Sequence, residues 1–287
     1  MRKKNFRLKL KHLWMEVTNR CNGNCIFCGR EYALPACDME LGFFKNIVDQ
    51  CKEAKIVQTQ GFGEPLLYPH IVEAVEYATN QKREVVFYTN GSLLDEKMAR
   101  ALLETNFARI IFSVDDMTKE KYEYFRPPLK WDTLLENIKR FQKMRDEGGY
   151  ITNTSVRMCI TPENREYVHK IKAFWSERVD QVAAAPEVDI PAPTELRKTP
   201  YVNGSPITDC PFPYNYLSVK SNGDVVICCR DWFNVYVLGN LHVSSVEDIY
   251  YKGLKNRNVR LSHKSGRNIP YLCQICKTRR MHGRHRQ

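Results

Sequence analysis

The sequence predicts an α/β fold in which six consecutive β/α units form an open or closed barrel, followed by a smaller C-terminal domain built on a β-hairpin. Short β-rich runs alternate with helical patterns over the first two-thirds of the chain, which is typical of parallel strands covered by helices. A proline-rich break then separates this part from a stretch with a hairpin signature.

The alternating part of the chain divides into strands and helices in a regular order. The predicted strands cover residues 13–17, 54–58, 84–88, 108–114, 154–160 and 181–184, and the predicted helices cover residues 39–52, 71–79, 95–104, 133–144 and 165–177. Right-handed crossovers place every strand-to-helix loop of such a fold on one face. Residues in these loops are therefore expected to share one site.

The C-terminal third follows a different pattern. From about Pro186 to Pro206 five prolines interrupt the sequence without a helical period, which predicts a linker. Two β-rich runs then flank a turn at residues 221–224, and residues 246–254 have the pattern of a short helix. We therefore predict a barrel at 10–190, a linker at 191–206 and a small domain with a basic tail at 207–287.

Composition narrows the class of protein. The 287 residues are 43% hydrophobic, which is typical of a globular chain, and no apolar run approaches the roughly 18 residues that predict a membrane span. The charged N-terminus lacks the apolar core of a signal peptide. These features predict a cytoplasmic protein with reduced thiols, so its 11 cysteines favour metal or redox chemistry over disulfides.

The formal net charge of the chain is +11. A positive field favours anionic partners such as a phosphorylated substrate, a nucleotide or an acidic peptide. Solubility explains the same charge, and a solvated terminus explains the basic tail. Nucleic acid is therefore not the expected partner.

Three cysteines, Cys21, Cys25 and Cys28, follow the first predicted strand within eight residues. A structural zinc site takes four ligands, and an ordinary 4Fe–4S cluster also takes four cysteines. Three thiolates leave one iron of such a cluster open to a substrate or cofactor. The alternative is a zinc site that borrows His12 or Cys37 as its fourth ligand.

This triplet resembles the Cys-x3-Cys-x2-Cys signature of the radical S-adenosylmethionine (radical SAM) superfamily, in which a bulky residue, here Phe27, precedes the last cysteine. The resemblance implies a partial (β/α)6 TIM-like barrel. It also implies that SAM binds the open iron and that one electron cleaves it to methionine and a 5′-deoxyadenosyl radical, which abstracts a hydrogen atom from the substrate.

A glycine-rich turn follows the second predicted strand. Gly61, Gly63 and Glu64 lie in "GFGEP", which resembles the superfamily's GGEP motif for the SAM amino group, with Phe62 as a departure. Glycines in such a turn allow the backbone to approach a ligand closely.

Three further positions resemble SAM contacts of the superfamily. Asn90 lies in a TNG turn, Ser113 lies where the family places a ribose contact, and Arg126 resembles an arginine that pairs with the SAM carboxylate. The alternatives are an ordinary turn for Asn90 and a solvated surface side chain for Arg126.

A second cysteine set resembles the SPASM/twitch extension of radical SAM enzymes. The resemblance implies the shorter twitch form with one auxiliary 4Fe–4S cluster, so that the chain carries two clusters; its ligands would be Cys210, Cys228, Cys273 and Cys276. Cys229 competes with Cys228, but the family's Gly-x4-Cys spacing favours Cys228. A zinc knuckle is the alternative that the spacing permits.

One remaining cysteine is a candidate for catalysis. Cys159 lies on the fifth predicted strand, and in some epimerases of the superfamily a thiol returns a hydrogen atom to the substrate radical. Cys229 and Cys37 are weaker candidates for this role, and a packed core cysteine is the alternative for Cys159. Cys51 lies in a helical pattern and is predicted to be in the core.

The leading functional hypothesis is oxidation or epimerisation of a small sugar, aminocyclitol or nucleoside-type substrate, because the 287 residues leave little space for a leader-peptide-binding domain. The second is maturation of a ribosomal peptide, by thioether formation or residue epimerisation. The third is a zinc-binding protein that interacts with nucleic acid. The expected partners are the substrate and a one-electron donor such as flavodoxin or ferredoxin.

Overall fold

Six parallel strands form the N-terminal part of the computed structural model, which describes residues 8–32, 34–186 and 193–276. The strands are β1 (His12–Met15), β2 (Ile56–Thr59), β3 (Glu84–Thr89), β4 (Arg109–Ser113), β5 (Asn153–Ile160) and β6 (Gln181–Pro186). Each pairs in parallel with its sequence neighbour. The predicted α/β fold with a partial barrel is therefore confirmed.

Helices connect the strands and continue into the C-terminal part. They are α1 (Leu41–Gln50), α2 (Ile71–Asn80), α3 (Glu96–Glu104), α4 (Lys119–Phe125), α5 (Trp131–Gly148), α6 (Val168–Ser176), α7 (Pro193–Lys198), α8 (Phe212–Asn215), α9 (Leu254–Ser265) and α10 (Tyr271–Ile275). Local chemistry fixes some ends: the Asp95 carboxylate accepts from Met98 N–H at the start of α3, and Gly149 ends α5 in the left-handed region.

The remaining strands follow β6 in the chain, and three of them extend the same sheet. They are β7 (Tyr201–Val202), β8 (Tyr216–Val219), β9 (Asp224–Val226), β10 (Val237–Asn240) and β11 (Ile269–Pro270). β8 and β9 form the predicted hairpin, and β8 also pairs in parallel with β1. The result is a nine-stranded sheet in the order β10-β9-β8-β1-β2-β3-β4-β5-β6, with β7 and β11 in a separate pair.

The connection between the two parts has more structure than its sequence pattern indicated. The segment predicted to be a linker holds α7 and β7, while residues 187–192 and the basic tail at 277–287 lie outside the described residues. Because β8 joins β1 in one sheet, the strands do not separate at the predicted boundary. The division into three domains stays a prediction.

Helix α9 was missed because of its composition. The pattern at 246–254 predicted one short helix, whereas the structure has a π-helical turn at Glu247–Tyr251 followed by the twelve-residue α9. The buried side of α9 consists mainly of polar residues, including Asn256, Ser262 and His263. Hydrophobic periodicity cannot detect such a helix. The seven-residue α4 was also not predicted.

The hydrophobic core lies between the sheet and the barrel helices. Phe87 and Phe112 from the strands and Phe141 from α5 are fully buried, and the Phe112 and Phe141 rings meet edge to face at 6.4 Å between centroids. Cys51 is buried in this core, as predicted. No helix within the described ranges combines the length and apolar character needed to cross a bilayer.

We expect Phe112→Ala to lower the free energy of unfolding by about 3–5 kcal/mol, because it removes a fully buried ring and leaves a cavity. Ile151→Ala is the control, since Ile151 is 78% exposed and its loss should cost less than about 0.5 kcal/mol. Urea titration of both variants measures the difference. Equal unfolding midpoints would contradict this placement of the core.

Candidate active site

One cavity of about 390 Å³ lies at the carboxyl ends of the barrel strands and extends to the C-terminal part. Every residue that the sequence selected as a site residue lines it. These residues are Cys21, Cys25, Phe27, Cys28, Gly61, Gly63, Glu64, Asn90, Ser113, Arg126, Cys159, Cys210, Cys228, Cys273 and Cys276. The fold thus brings both cysteine sets to a single space, although their individual roles stay predictions.

The cysteine triplet lies in the loop after β1. Backbone hydrogen bonds hold this loop against the segment after α4: Asn24 N–H donates to the Pro127 carbonyl at 2.6 Å, and Ile26 N–H donates to the Phe125 carbonyl at 3.1 Å. Burial raises the pKa of Cys21 to about 11 and also raises the pKa of Cys28. These thiols are therefore protonated at neutral pH unless a cation binds them.

The glycine turn after β2 packs tightly against the protein itself. A Cβ on Gly63 would lie 2.1 Å from the Thr18 carbonyl oxygen, and one on Gly61 would lie 2.3 Å from the Glu16 side chain. Glu64 N–H donates to the Arg20 carbonyl at 2.8 Å. The sequence attributed these glycines to close approach of a ligand, whereas the closest approach in the structure is to the start of the cysteine loop.

Glu64 connects two turns at the edge of the cavity. Its fully buried carboxylate accepts from the Thr89 hydroxyl at 2.6 Å, Asn90 N–H at 2.6 Å and Leu66 N–H at 3.1 Å. The Asn90 side-chain amide in turn donates to Asn22 Oδ1 at 2.8 Å. The β2 turn, the β3 turn and the cysteine loop are therefore held in one arrangement. Sequence reasoning missed Asn22, which has no motif of its own.

Arg126 is a buried residue, which contradicts the alternative of a solvated surface side chain. It is 7% exposed, and its guanidinium donates to Asp115 at 2.6 Å. Burial, the largest single effect, would lower the pKa of Arg126, but the Asp115 carboxylate together with the neighbouring thiols and Tyr122 raises it. Arg126 also lies 3.5 Å from Cys25 Sγ and 5.5 Å from the Phe27 ring centroid. A fixed cation therefore lies beside the cysteine loop.

Ser113 and Cys159 end neighbouring strands, β4 and β5. Asp115 connects this edge to Arg126, since its other carboxylate oxygen accepts from Cys159 N–H at 2.8 Å. Burial, followed by the Asp115 charge, raises the pKa of Cys159 to about 11. The thiol therefore keeps its proton at neutral pH, as a hydrogen-atom donor requires, and it lines the cavity instead of being sealed in the core.

The second cysteine set comes from three segments of the C-terminal part. Cys210 precedes α8, Cys228 follows β9, and Cys273 and Cys276 belong to α10 and its end. Burial raises the pKa of Cys228, and the nearby charges that add to the effect are all cysteine thiolates, including the other three of the set. For Cys229, burial is opposed by Arg230 and Arg157. Cys228 therefore lies among the other three thiols of the set, but Cys229 also lies near Cys210 and Cys276, so the choice of Cys228 as the ligand stays a prediction.

The two sets suit iron–sulfur clusters by their chemistry. Backbone N–H groups donate to sulfur in both: Gly23 to Cys21 Sγ and Arg230 to Cys228 Sγ, each at 3.4 Å. Such bonds are among the protein's means of tuning a cluster. Within the described ranges no three His, Cys, Asp or Glu side chains converge to hold one metal ion. A 4Fe–4S cluster does not require its ligands to converge on one point, because each thiolate binds a separate iron.

A parallel β/α barrel with a three-cysteine loop after its first strand, joined to a four-cysteine module, defines the class of radical SAM enzymes with an auxiliary iron–sulfur domain. Family comparison agrees: residues 15–174 match the family model of the Radical SAM superfamily, and residues 210–277 match that of the SPASM iron–sulfur cluster-binding domain. The chain belongs to the radical SAM superfamily. Its cofactors are SAM and two iron–sulfur clusters.

Among curated proteins, the chain is 24% identical to the tungsten-containing aldehyde ferredoxin oxidoreductase cofactor-modifying protein of Pyrococcus furiosus, over 84% of this chain and 81% of that protein. Two solved structures share the fold. SuiB of Streptococcus suis bound to the precursor peptide SuiA has a TM-score of 0.69 at 16% identity, over 89% of this chain and 68% of that chain. BtrN in complex with AdoMet and 2-DOIA has a TM-score of 0.57 at 19% identity, over 91% of this chain and 89% of that chain.

We expect Gly63→Ala to impair assembly of the N-terminal cluster, because the added Cβ collides with backbone of the cysteine loop. Iron content of anaerobically prepared protein should fall by about half, with the loss confined to the cluster that responds to SAM in electron paramagnetic resonance. Gly42→Ala is the matched control, since a Cβ there meets nothing within 4 Å. A Gly63→Ala protein with full iron content would overturn the close contact described here.

Proposed function

We propose that this enzyme oxidises or epimerises a small sugar, aminocyclitol or nucleoside-type substrate. The observation that carries the proposal is that the cysteine triplet, Cys159 and the second cysteine set line one cavity. A molecule bound there has a hydrogen-abstracting group on one side and an electron acceptor or a thiol on the other. These are the parts that dehydrogenation and epimerisation need.

The roles of the chain's own residues follow from their positions. Cys21, Cys25 and Cys28 would hold the SAM-binding cluster; Arg126, fixed by Asp115, would hold the SAM carboxylate. Gly61, Gly63, Glu64, Asn90 and Ser113 shape the edge on which the nucleoside lies. When bound, these cofactors supply the radical that removes a hydrogen atom from the substrate.

We assign the auxiliary cluster to Cys210, Cys228, Cys273 and Cys276. With four thiolates it has no free iron, so its role is electron transfer. A dehydrogenation would remove one hydrogen atom, one proton and one electron from the substrate, and the auxiliary cluster would be the group that accepts the electron. In an epimerisation, Cys159 would give a hydrogen atom to the opposite face, and one electron from the donor and one proton from solvent would restore its thiol. A one-electron donor such as flavodoxin or ferredoxin supplies the reductant.

Two similarities support a small substrate. BtrN, which shares the fold over most of both chains, is described in complex with AdoMet and 2-DOIA. The Pyrococcus furiosus relative, also similar over most of both chains, is named as a cofactor-modifying protein. Peptide maturation is the second candidate, since SuiB, which also shares the fold, is described bound to a precursor peptide. Membership of the superfamily leaves no support for the zinc-binding alternative.

The decisive experiment incubates anaerobic protein with SAM, reductant and deuterated candidates from both substrate classes. We expect deuterium to enter 5′-deoxyadenosine only with a sugar, cyclitol or nucleoside. Transfer from a peptide side chain or backbone, and from none of the small molecules, would replace this proposal by the second candidate.

We expect Cys273→Ala to cleave SAM but not to turn over substrate, because it loses a ligand of the auxiliary cluster only. Cys28→Ala should show the reverse defect, with the auxiliary cluster intact and no 5′-deoxyadenosine formed. Cys51→Ala, which removes a core thiol outside the cavity, is the control and should keep both activities. Chromatographic quantification of 5′-deoxyadenosine and product measures the two steps. Wild-type turnover in Cys273→Ala would exclude a catalytic auxiliary cluster.

Cys159→Ala separates the two reactions. If the enzyme is an epimerase, the variant should form 5′-deoxyadenosine and lose the inverted product, because no protonated thiol remains to return a hydrogen atom. If it is a dehydrogenase, the variant should keep most of its oxidised product. Mass spectrometry of products formed in D2O makes the measurement, since a thiol donor labels the inverted carbon. Unlabelled inverted product from the wild type would rule Cys159 out as donor.

A further inference from the structure

More cationic than acidic side chains line the cavity between the two cysteine sets. Among the described residues that line it, Glu64 is the one acidic side chain, and its carboxylate is occupied by three hydrogen bonds from the protein. Four cationic side chains line the same space, namely Arg126, Arg157, Lys220 and Arg230.

Two of these cations have carboxylate partners behind the cavity wall. Arg126 pairs with Asp115 at 2.6 Å, and Lys220 Nζ lies 3.5 Å from Glu16 Oε2, with all four side chains buried. Their charges are thus offset within the protein.

Arg157 and Arg230 differ from them. Both are half-buried, and neither forms an ion pair with any residue that the structure describes. Arg157 extends from β5 and hydrogen-bonds the Tyr88 side chain, and Arg230 follows Cys229 in the C-terminal part. Both charges act on the Cys159 thiol, which places them on the same stretch of the cavity.

We propose that Arg157 and Arg230 bind an oxyanion of the substrate, a phosphate or a carboxylate group. The inference rests on the proposed function and narrows its substrate class to the anionic members. Partly desolvated guanidinium groups without carboxylate partners gain most from a ligand that accepts paired hydrogen bonds, and both oxyanions match that geometry. Because one arginine comes from the barrel and the other from the C-terminal part, the anion would span both.

The competing role for these arginines is to offset the negative charge of the auxiliary cluster. Position argues against that role for Arg157, which lies on a barrel strand and bonds to Tyr88 of β3. For Arg230, whose backbone N–H donates to Cys228 Sγ at 3.4 Å, the reduction potential of the auxiliary cluster distinguishes the two roles.

Isothermal titration calorimetry on the anaerobic holoprotein with SAM tests the proposal. The probes are inorganic phosphate, acetate and uncharged glycerol at constant ionic strength. We expect phosphate or acetate to bind and glycerol not to, and the anion that binds more tightly identifies the group. Arg157→Gln and Arg230→Gln should each weaken that binding about tenfold or more. Arg178→Gln, at a surface arginine outside the cavity, should leave it unchanged.

Iron content and circular dichroism establish that each variant is folded. Arg157→Lys keeps the positive charge but loses the paired N–H donors of the guanidinium group, so it should bind the anion with intermediate affinity. Anion affinity that is unchanged in both glutamine variants would overturn the proposal, as would anions that bind no better than glycerol. A shifted reduction potential of the auxiliary cluster in Arg230→Gln with unchanged anion affinity would assign the arginine to the cluster instead. Because binding is measured without turnover, failure of the deuterium-transfer experiment does not affect this result.

Discussion

The parallel pairing of β8 with β1 is the constraint on which the site depends. His12 pairs with Tyr216 and Met15 with Val219, so the two strands run in register and end at the same edge of the sheet. β1 leads into the loop with the first cysteine set, and β8 leads through its hairpin to Cys228 of the second set. Without this pairing the two sets would belong to separate bodies, and a shared cavity would need an independent docking surface. In the single sheet, backbone hydrogen bonds between β1 and β8 hold the two parts together. These bonds allow the distance between the two cysteine sets to vary little.

Glu16, immediately after β1, strengthens this junction with side-chain contacts. Its buried carboxylate accepts from Phe62 N–H of the glycine turn at 2.9 Å and from the Ser221 hydroxyl of the hairpin at 3.2 Å, and it pairs with Lys220. One carboxylate thus joins β1, the β2 turn and the C-terminal hairpin. Removal of a single partner from such a network would leave a buried charge uncompensated, which costs more than the pair contributes when intact. This cost favours one arrangement of the two cysteine sets over alternatives in which the hairpin shifts along β1.

The sequence made parts of this arrangement predictable and concealed others. The alternation of β-rich and helical runs was enough to predict the six parallel strands. The cysteine spacing and the neighbouring glycine motifs were enough to select residues that share a cavity. The pairing of β8 with β1 joins residues about 200 positions apart, and no local pattern encodes it. The same holds for Glu16 and Asn22: a carboxylate or an amide has no periodicity that marks it as buried, and its partner appears only in the fold. Helix α9 was missed because its buried side is polar.

Among the charged side chains that line the cavity within the described residues, three are offset by partners in the protein and two have no carboxylate partner. A buried ionised group is costly unless a partner or several hydrogen bonds offset the loss of water. Arg126 and Lys220 meet that requirement with Asp115 and Glu16, and Glu64 meets it with three donors. Arg157 and Arg230 have no carboxylate partner among the described residues, and both line the cavity. If only solvent contacted these two half-buried guanidinium groups, their position in the cavity would serve no binding role. If these arginines bind the proposed anion, the contacts that recognise the substrate would also orient it in the cavity that Cys159 and the SAM-binding residues line.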